Sequence, residues 1–476
     1  MEKKYSFTIL MLAVCVVFNS CKLPSIAENS IKKELPPSFQ NVQDTSNSAN
    51  YGWKSFYLSP MLVDLIDTVL VNNPDMMIAA QRIIYANAQN KQAKGLAKPF
   101  LNATLLPNLR KFGLYTMDGA GNIVTDIETG KPVPIDLPDY YGGFQASWEV
   151  DLWGKLKNKR QAALARILAS NAYRHLVQTN LIAETANAYY ELLAAEQELK
   201  ILDETILLQD QALELMRIQK EAAAVNELAV QQFEAQSLGM KSLRIEIAQQ
   251  LFDAELRIQQ LAGRTKGMIR KDSVFFTSGL IPKVKSGLPS ELLLNRPDIR
   301  QAEMELIASK ADVRAARAAF LPSLMISGNL GMQAYAPRLL TMFPESIAYG
   351  IFGGMTAPLL NRSNIQAEFS KATAVQMENL WNYQKTITKG FWEVEQELKR
   401  NTNLSNLFQM KQKETNALSN AANISSELFK TGRSNYLEVL FTRQSQLRAN
   451  LELITTRKNQ LITSVNLYKA IGGGWK

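Results

Sequence analysis

Residues 294–303 read Leu-Asn-Arg-Pro-Asp-Ile-Arg-Gln-Ala-Glu, and they open the second copy of a pattern that the chain has already used once. Arg296-Pro297-Asp298 corresponds to Asn73-Pro74-Asp75 at an offset of 223 residues. The positions that follow at equal spacing are Ala79, Ala88, Ala93 and Pro99 in the first copy and Ala302, Ala311, Ala316 and Pro322 in the second. A duplication this long predicts two structural halves that are built alike and related by pseudo-symmetry.

The duplication continues toward the C-terminus with a small change of spacing. The five residues 226–230, Asn-Glu-Leu-Ala-Val, recur as Asn-Tyr-Leu-Glu-Val at 435–439, now at an offset of 209 residues. The first copy therefore holds 14 additional residues between Pro99 and Asn226. These alignments predict one repeat over residues 59–282 and a second over residues 283–476.

Composition and charge exclude several classes of protein. The chain has 476 residues, of which 46% are apolar and 20% charged, and its net charge is +9. The basic residues are dispersed among acidic ones, so nucleic-acid binding is not indicated. His175 is the single histidine, so it cannot build a multi-histidine metal site, and we assign it to the surface or to a helical seam. We find no nucleophile–base constellation, paired carboxylates or phosphate loop, and we predict no enzyme activity, cofactor or metal.

The N-terminus has the pattern of a processing segment. Lys3-Lys4 precede an apolar core from Phe7 to Phe18, which is too short to span a bilayer and typical of a signal peptide. The following Asn19-Ser20-Cys21 resembles a bacterial lipobox. We predict a signal peptide over residues 1–20, acylation of Cys21, and a lipidated tether over residues 21–58. The alternative is a plain signal peptide with a coincidental cysteine.

Two regions of the sequence have residue patterns that predict β-strands. Residues 102–151 contain Gly, Pro, Tyr and Trp, and we predict strand, loop and strand there, with the additional residues of the first copy in the loop at 116–138. In the second copy, over about 323–360, apolar residues alternate with small or polar ones on both sides of a loop. The alternating apolar positions are Ile326, Leu330, Met332, Tyr349, Ile351 and Met355. Period-2 alternation predicts strands whose two faces meet different surroundings.

Two further regions are predicted to be very long helices, over about 155–262 and 362–471. Residues 155–238 contain no Gly and no Pro, and residues 359–431 contain only Gly390. Both regions show the 3-4 spacing of a coiled coil, with Gln209 as an exception. The seam positions are Leu192, Ala195, Leu199, Leu202, Ile206, Leu213 and Met216, and then Leu440, Leu447, Leu451, Ile454, Leu461 and Val465. A helix of about 65 residues would be roughly 100 Å long, a length suited to bridging a gap.

The predicted fold class is mainly α, with two tandem repeats of long coiled-coil helices and two strands each. Four strands cannot close a barrel, which takes about eight, and an open sheet would expose its edges. A membrane also forbids lipid-exposed open edges. Several chains must therefore pool their strands if the protein crosses a membrane.

Several motifs, in order along residues 50–475, resemble one family. They are residues 294–303 quoted above, Ala316–Leu324, Ser147–Leu156, Phe429–Val439 and Leu467–Trp475. These are similar to the signatures of outer-membrane efflux proteins of the TolC and OprM type, and the lipobox is similar to the NodT-like lipoprotein branch. The resemblance implies a homotrimer with a shared twelve-stranded barrel in the outer membrane and an α-barrel across the periplasm.

The resemblance also implies a function. The trimer would be a passive exit duct for drugs and other small molecules, lipid-anchored in the bacterial outer membrane and extending into the periplasm. Its partners would be a periplasmic adaptor protein and an inner-membrane pump of the resistance-nodulation-division class. Three alternatives remain: a duct for type I polypeptide secretion, a structural coiled-coil envelope lipoprotein, and an envelope hydrolase. The transported compounds are set by the pump and do not follow from this sequence.

Two breaks in the long helices are the candidate functional site. Thr431–Asn435 interrupts the second helical region, and its repeat equivalent is Ala222–Asn226. By resemblance these turns are the periplasmic tips, where the tunnel closes and the adaptor docks; the alternative is a pair of plain turns. The residues assigned to this site are Ala223, Asn226, Glu227, Gly432, Arg433, Ser434, Asn435 and Glu438. Relatives commonly have Gly where this chain has Ala223, and acids where it has Ala229 and Phe441.

Two other motifs have structural interpretations. Arg296-Pro297-Asp298 predicts a helix start, with Pro in the first turn and Asp298 complementing the helix dipole. Trp148, Trp153 and Tyr140-Tyr141 fit either an aromatic girdle at the membrane interface or packing at the strand-to-helix junction.

Overall fold

The computed structural model describes residues 24–25, 35–39, 46–278, 281–358 and 362–476. These fall into two compact units. The strand unit contains Tyr85–Ile167 and Glu305–Leu380, and the helical unit contains Ile31–Ile84, Leu168–Met304 and Trp381–Lys476. Each unit therefore draws on both sequence repeats. The predicted signal peptide over residues 1–20 and the predicted lipid anchor Cys21 lie outside the described residues, as does most of the tether.

The first half of the chain contains ten helices and strands among its described residues. They are α1 (Trp53–Phe56), α2 (Pro60–Asn72), α3 (Pro74–Leu96), β1 (Phe100–Lys111), α4 (Met117–Ile123), β2 (Asp126–Glu128), β3 (Lys131–Pro132), β4 (Asp136–Val150), α5 (Lys155–Glu221) and α6 (Glu227–Leu261). The first-copy motif Asn73-Pro74-Asp75 lies at a helix break, because α2 ends at Asn72 and α3 begins at Pro74. The loop at 116–138 holds α4 and the β2–β3 hairpin, which the sequence had not indicated.

The second half repeats this order without counterparts of α4, β2 and β3 among its described residues. It contains α7 (Ser273–Ser278), α8 (Leu292–Asn295), α9 (Pro297–Ala318), β5 (Ser323–Ala334), β6 (Ile347–Thr356), α10 (Ser363–Lys430) and α11 (Tyr436–Ala470). Short 3₁₀ turns lie at Ser48–Asn50, Pro289–Glu291 and Pro337–Leu339. The helix start predicted at Arg296-Pro297-Asp298 is confirmed, with Pro297 as the first residue of α9.

The strand unit is organised around one antiparallel sheet with the order β1-β4-β5-β6. The two repeats meet inside this sheet, because β4 of the first pairs with β5 of the second, with Phe144 opposite Leu330. The long loops 112–135 and 335–346 leave the same end of the sheet, and the helices join its other end. We refer to these as the loop end and the helix end of the sheet.

Four long helices confirm the coiled-coil prediction. Helices α5 and α10 have 67 and 68 residues, and their return partners α6 and α11 have 35 residues each. The seam residues Leu192, Leu202 and Met216 are buried. Gln209, the exception in the pattern, is buried too, and its Nε2 donates a hydrogen bond to the carbonyl oxygen of Phe233 at 3.3 Å. None of the described helices combines the length and the apolarity that a membrane span requires.

The helical unit has an aromatic core near the chain termini. The rings of Phe56 and Tyr468 stack with centroids 4.0 Å apart, and the Tyr468 hydroxyl donates to the Tyr51 carbonyl oxygen at 2.7 Å. Burial raises the pKa of Tyr468 to about 12, so its hydroxyl stays protonated and can donate. Phe39, upstream of this core, is buried and stacks on Phe391 at 5.5 Å.

A buried cation fixes the end of α11 in the same unit. The guanidinium of Arg296 donates to the Ala470 carbonyl oxygen at 2.8 Å and pairs with Asp298 at 2.6 Å and Glu393 at 2.8 Å. Gly390 faces this group, because a Cβ added there would lie 3.1 Å from Arg296 Nε. A buried charge needs such full pairing, since leaving it unpaired costs several kcal/mol.

Candidate functional site

The first interhelical turn contains a residue with a left-handed backbone conformation, and this residue is alanine instead of glycine. Helix α5 ends at Glu221, and Ala223 has φ 59°. The Ala223 N–H donates to the Lys220 carbonyl oxygen at 2.9 Å, and the Ala224 N–H donates to the Gln219 carbonyl oxygen at 2.8 Å. This pair of bonds is a Schellman motif, which satisfies the last carbonyl groups of a helix.

The second turn has the same geometry with glycine. Gly432 has φ 68°, and its N–H donates to the Phe429 carbonyl oxygen at 3.0 Å. The Arg433 N–H donates to the Leu428 carbonyl oxygen at 2.8 Å. Ala223 and Gly432 are equivalent positions of the repeat, so the duplicated sequence produces one turn twice.

Asparagine starts the return helix in both hairpins. Asn226 precedes α6 and accepts a hydrogen bond from the Ala229 N–H at 3.2 Å, and Asn435 precedes α11 and accepts from the Leu437 N–H at 3.3 Å. Asparagine is among the preferred residues at this position because its oxygen satisfies a free N–H of the first turn. Each turn is therefore capped on both sides.

The charges differ between the two turns. Glu227 forms an ion pair with Lys220 across the first turn and accepts from Gln231 Nε2 at 2.8 Å. The hydrogen bond from Lys220 lowers the pKa of Glu227, so it stays ionised near neutral pH. In the second turn Glu438 accepts a hydrogen bond from the hydroxyl of Ser434, and Arg433 and Glu438 are both exposed.

An apolar cluster lies beneath both turns and brings the two hairpins together. Leu213 and Met216 of α5 and Val230 and Phe233 of α6 are buried there. Partly buried Phe429, Tyr436 and Leu440 of the second hairpin pack against them. A groove of about 340 Å³ runs beside this cluster and is lined partly by Leu208, Leu215, Phe429, Tyr436 and Leu440. The two turns therefore form one site in the helical unit.

The two helices of each hairpin meet along a seam behind the turn. The side-chain contacts across this seam are of different kinds in the two hairpins. Between α5 and α6, Asp210 pairs with Lys241 at 2.9 Å, and Asp203 pairs with Arg244. Between α10 and α11, hydroxyl groups take this role near the turn. Ser425 and Thr442 lie 2.8 Å apart, Arg443 donates to Ser426 at 3.1 Å, and Gln446 donates to Ser419 at 3.2 Å.

The sheet of the strand unit has one apolar face. Cross-strand partners project on the same side of a sheet, so the register identifies the residues that share a face. The face that includes Leu330 consists of Leu101, Ala103, Leu105, Pro107 and Leu109 of β1, Tyr140, Gly142, Phe144, Ala146 and Trp148 of β4, Ile326, Gly328, Leu330 and Met332 of β5, and Ile347, Tyr349, Ile351, Gly353 and Met355 of β6. Leu330 is 57% exposed and Ile351 is 84% exposed. An apolar surface this continuous is suited to lipid.

The opposite face of the sheet is polar or small at most positions. Its register includes Asn102, Thr104, Asn108, Gln145, Ser147, Ser327, Asn329 and Gln333, with glycine at 143, 331, 350 and 354. The ring of Tyr141 covers two of these glycines, because a Cβ at Gly331 would lie 2.9 Å from Tyr141 Cζ and one at Gly143 would lie 2.8 Å from the Tyr141 hydroxyl. The predicted alternation therefore places apolar residues on one face of the sheet and mostly polar or small residues on the other.

The tryptophans of the strand-to-helix junction make junction hydrogen bonds. Trp153 Nε1 donates to the Pro322 carbonyl oxygen at 2.7 Å, and Trp148 Nε1 donates to the Ala97 carbonyl oxygen at 3.2 Å. Asp151 accepts from the Lys157 N–H at 2.7 Å and so caps the start of α5. Of the two interpretations that the sequence left open, these bonds favour junction packing for Trp148 and Trp153, whereas Tyr140 and Tyr141 lie toward the loop end of the sheet.

The predicted site residues that the structure describes thus fall in two places. Ala223, Asn226 and Glu227 form the first turn, and Gly432, Arg433, Ser434, Asn435 and Glu438 form the second. Cys21 lies outside the described residues. Sequence reasoning missed the Lys220–Glu227 pair and the hydroxyl seam, although the Lys/Glu and Ser/Thr residues near each turn were a signal that could have indicated them.

His175 and the acidic residues form no site in the described structure. The His175 ring lies 4.8 Å from that of Trp475, and burial lowers the pKa of the histidine. Within the described ranges, no group of three or more His, Cys, Asp and Glu residues is placed to hold a metal ion.

Comparisons with known proteins agree on one family. The family model for outer membrane efflux proteins matches residues 65–264 and 288–473. The pyoverdine export outer membrane protein OpmQ of Pseudomonas aeruginosa is 30% identical over 424 residues, which are 89% of this chain and 87% of OpmQ. The probable outer membrane lipoprotein SilC of Salmonella typhimurium is 28% identical over 98% of this chain and 97% of its own.

A solved structure shares the fold. The open state of the Neisseria gonorrhoeae MtrE outer membrane channel aligns with a TM-score of 0.83 and 24% identity, over 96% of this chain and 98% of MtrE. The likeness covers both the long helices and the strands.

Proposed function

Because this chain belongs to the outer membrane efflux protein family, we propose that three copies form one passive duct across the outer membrane, within a tripartite efflux pump. The protein resides in the outer membrane, and it is a transport channel and not a member of an enzyme family. The single observation that best supports the shared duct is the two-faced sheet, in which no described strand pairs with the outer edge of β1 or β6. Three such sheets joined edge to edge give twelve strands and leave no edge in lipid.

The partners follow from the same assignment. A duct of this family works with the other components of an efflux pump, and we propose a periplasmic adaptor and an inner-membrane pump of the resistance-nodulation-division class. The relative OpmQ is named for pyoverdine export, and SilC is named a lipoprotein. We propose small molecules as cargo, selected by the pump, and an acyl anchor on Cys21. Mass spectrometry of the mature N-terminus tests the anchor, and an unmodified residue other than Cys21 at position one would refute it.

The lipid face of the sheet can be tested with two adjacent residues. Leu330→Arg places a charge on the apolar face, which costs about 2–4 kcal/mol at the bilayer midplane, whereas Asn329→Arg places it on the polar face. We expect Leu330→Arg to reduce the yield of folded trimer in the outer membrane strongly and Asn329→Arg to leave it near that of the wild type. Equal yields would contradict the assignment of the two faces. Conductance of the purified trimer in planar bilayers tests the duct itself.

We also propose that the two turns form the periplasmic entrance and the adaptor contact. Around a threefold axis they give six hairpin tips in one ring, with Glu438 exposed in each copy of the second turn. Like charges in a ring focus cations and repel each other unless they are paired, for example with Arg433 of a neighbouring copy. An adaptor that displaces such pairs would shift the tips between two populated states. The apolar groove beside Leu215 and Tyr436 is suited to apolar side chains of the adaptor.

Two measurements test the entrance. Glu438→Lys is expected to change the conductance or ion preference of the trimer in planar bilayers. A cysteine at position 434, introduced by Ser434→Cys, is expected to crosslink to a cysteine on the adaptor hairpin in cells. A cysteine introduced by Asn329→Cys on the sheet is the control and should not crosslink. If neither effect occurs while trimers still form, the entrance lies elsewhere.

A further inference from the structure

An ion pair sits at the loop end of the polar face of the sheet. Arg110, near the end of β1, pairs with Asp139, near the start of β4. Gln333 of β5 donates from Nε2 to the other carboxylate oxygen of Asp139 at 2.8 Å. The Asp139 side chain is 15% exposed and that of Arg110 is 46% exposed, so the carboxylate is held and the guanidinium remains accessible.

A second ion pair lies at the helix end of the same face. Glu149 of β4 pairs with Lys155 at the start of α5. Between Asp139 and Glu149 the register places uncharged residues on this face in all four described strands, among them Tyr141, Gln145 and Asn329. The fixed charges of this face therefore lie near its two ends, and each has an opposite charge beside it.

The pairing decides how strongly these charges act on a passing ion. A cleft with low-dielectric walls focuses the field of an unpaired charge and concentrates ions of the opposite sign. An adjacent opposite charge cancels most of this field at distances greater than the separation within the pair. The polar face is therefore nearly neutral along its length, although it carries charged residues at both ends.

We propose that the Arg110–Asp139 pair, held by Gln333, is a charge-neutral collar at the outer mouth of the duct. This inference rests on the proposed function, since the polar face lines a lumen only in the assembled channel. A trimer carries three such pairs. The collar lets compounds of either charge sign leave, and loss of one partner converts the mouth into a selective one. Arg110, Asp139 and Gln333 are thus specificity-determining residues, and the cargo class includes both cations and anions.

The test is the reversal potential of purified trimers in planar bilayers under a KCl gradient. Arg110→Gln leaves three unpaired carboxylates and is expected to raise the cation-to-anion permeability ratio roughly threefold or more. Asp139→Asn leaves three unpaired guanidinium groups and is expected to lower the ratio by a similar factor. Both effects should grow at low ionic strength, where screening is weakest. The double variant Arg110→Asp with Asp139→Arg restores neutrality and should return the ratio to that of the wild type.

Control variants separate this inference from the proposed function. Asn329→Asp places a carboxylate in the middle of the same face and should favour cations if that face lines the lumen. A shift with Asn329→Asp and none with the collar variants would overturn the collar while leaving the duct intact. Shifts of the same sign in both single collar variants would overturn it as well. Trimers that conduct in no variant, including the wild type, would overturn the proposed duct instead.

A third variant of the Arg110–Asp139–Gln333 site provides a test if the two single variants assemble poorly into trimers. Gln333→Glu keeps the Arg110–Asp139 pair and adds a carboxylate beside it, so it is expected to favour cations. An unchanged permeability ratio in this variant would count against the collar.

Discussion

The two helical hairpins have the same backbone and different chemistry. Ala223 and Gly432 occupy the same left-handed position, and each turn closes with the same two hydrogen bonds to the end of the preceding helix. Near the turns, the first hairpin is joined by the ion pair Asp210–Lys241 and the second by hydroxyl contacts such as Ser425–Thr442. Farther from the turns each seam has an ion pair, Asp203–Arg244 in the first and Lys411–Glu452 in the second. The geometry of a duplicated turn is thus set by backbone bonds and caps, and the side chains of the seam are free to vary.

The introduction of proline into either turn is expected to have the largest effect on local stability. Gly432→Pro removes the N–H that bonds to Phe429 and forces φ to about −65°, so we expect the second turn to lose about 3 kcal/mol of local stability. Ala223→Pro should lose as much in the first turn. Amide hydrogen exchange of the peptides around each turn measures both. Glu227→Pro is the control, because proline is tolerated at the first position of a helix; a comparable loss there would contradict the explanation.

Two opposite substitutions, alanine to glycine in the first turn and glycine to alanine in the second, are expected to have smaller effects on stability. Ala223 is strained by its positive φ, so Ala223→Gly is expected to stabilise the first turn by about 1 kcal/mol, and Gly432→Ala to destabilise the second by a similar amount. No atom of the described chain lies within 4 Å of a Cβ added at Gly432, so the expected loss comes from the backbone alone. Local opening free energies from hydrogen exchange of the Ala224 and Arg433 amides measure the pair. Changes of equal sign would show that the turns are not equivalent.

The smallest expected effect is a difference between the two seams in their response to pH and salt. The Ser237 hydroxyl and then Lys241 lower the pKa of Asp210 below its ordinary 3.8, so its contribution is complete above that value and is lost as the pH falls through the lowered pKa. An exposed pair contributes roughly 0.5 kcal/mol and is screened by salt. We expect acid of about pH 3 or about 1 M salt to loosen the first seam near its turn and to spare the hydroxyl contacts near the second turn.

Hydrogen exchange of peptides that cover residues 227–241 of α6 and 436–446 of α11 provides the measurement. Asp210→Asn should remove the difference at neutral pH and low salt, whereas Ser425→Ala should leave the response to salt unchanged. Equal responses of the two seams in the wild type would contradict the distinction.

The elements that the sequence predicted are those with a strong local signal. The long helices follow from seams such as Leu192 to Met216, because a 3-4 pattern without Gly or Pro supports few other conformations. The strands follow from the alternation at 326–332, because a two-faced sheet requires it. The positions of both turns follow from the repeat, since Asn226 and Asn435 cap equivalent helices.

The features that the sequence did not predict depend on contacts between distant residues. Arg110 and Asp139 meet only through the register of β1 with β4, and the local pattern does not reveal their pairing. The short helix α4 and the β2–β3 hairpin have no long periodic pattern. The positive φ of Ala223 was not expected either, because alanine usually avoids this conformation. Tertiary hydrogen bonds and the register of paired strands determine each of these features.

Gly390 and Arg296 constrain each other through a close contact. A methyl group at position 390 would lie 3.1 Å from the guanidinium, and a displaced guanidinium would leave the Ala470 carbonyl oxygen and Glu393 without it. We therefore expect Gly390→Ala to shift the guanidinium by a few tenths of an ångström, and a larger side chain there to disturb its pairing more. Loss of the arginine would leave Asp298 and Glu393 without their cation, so we expect its replacement to be tolerated best when those acids change as well.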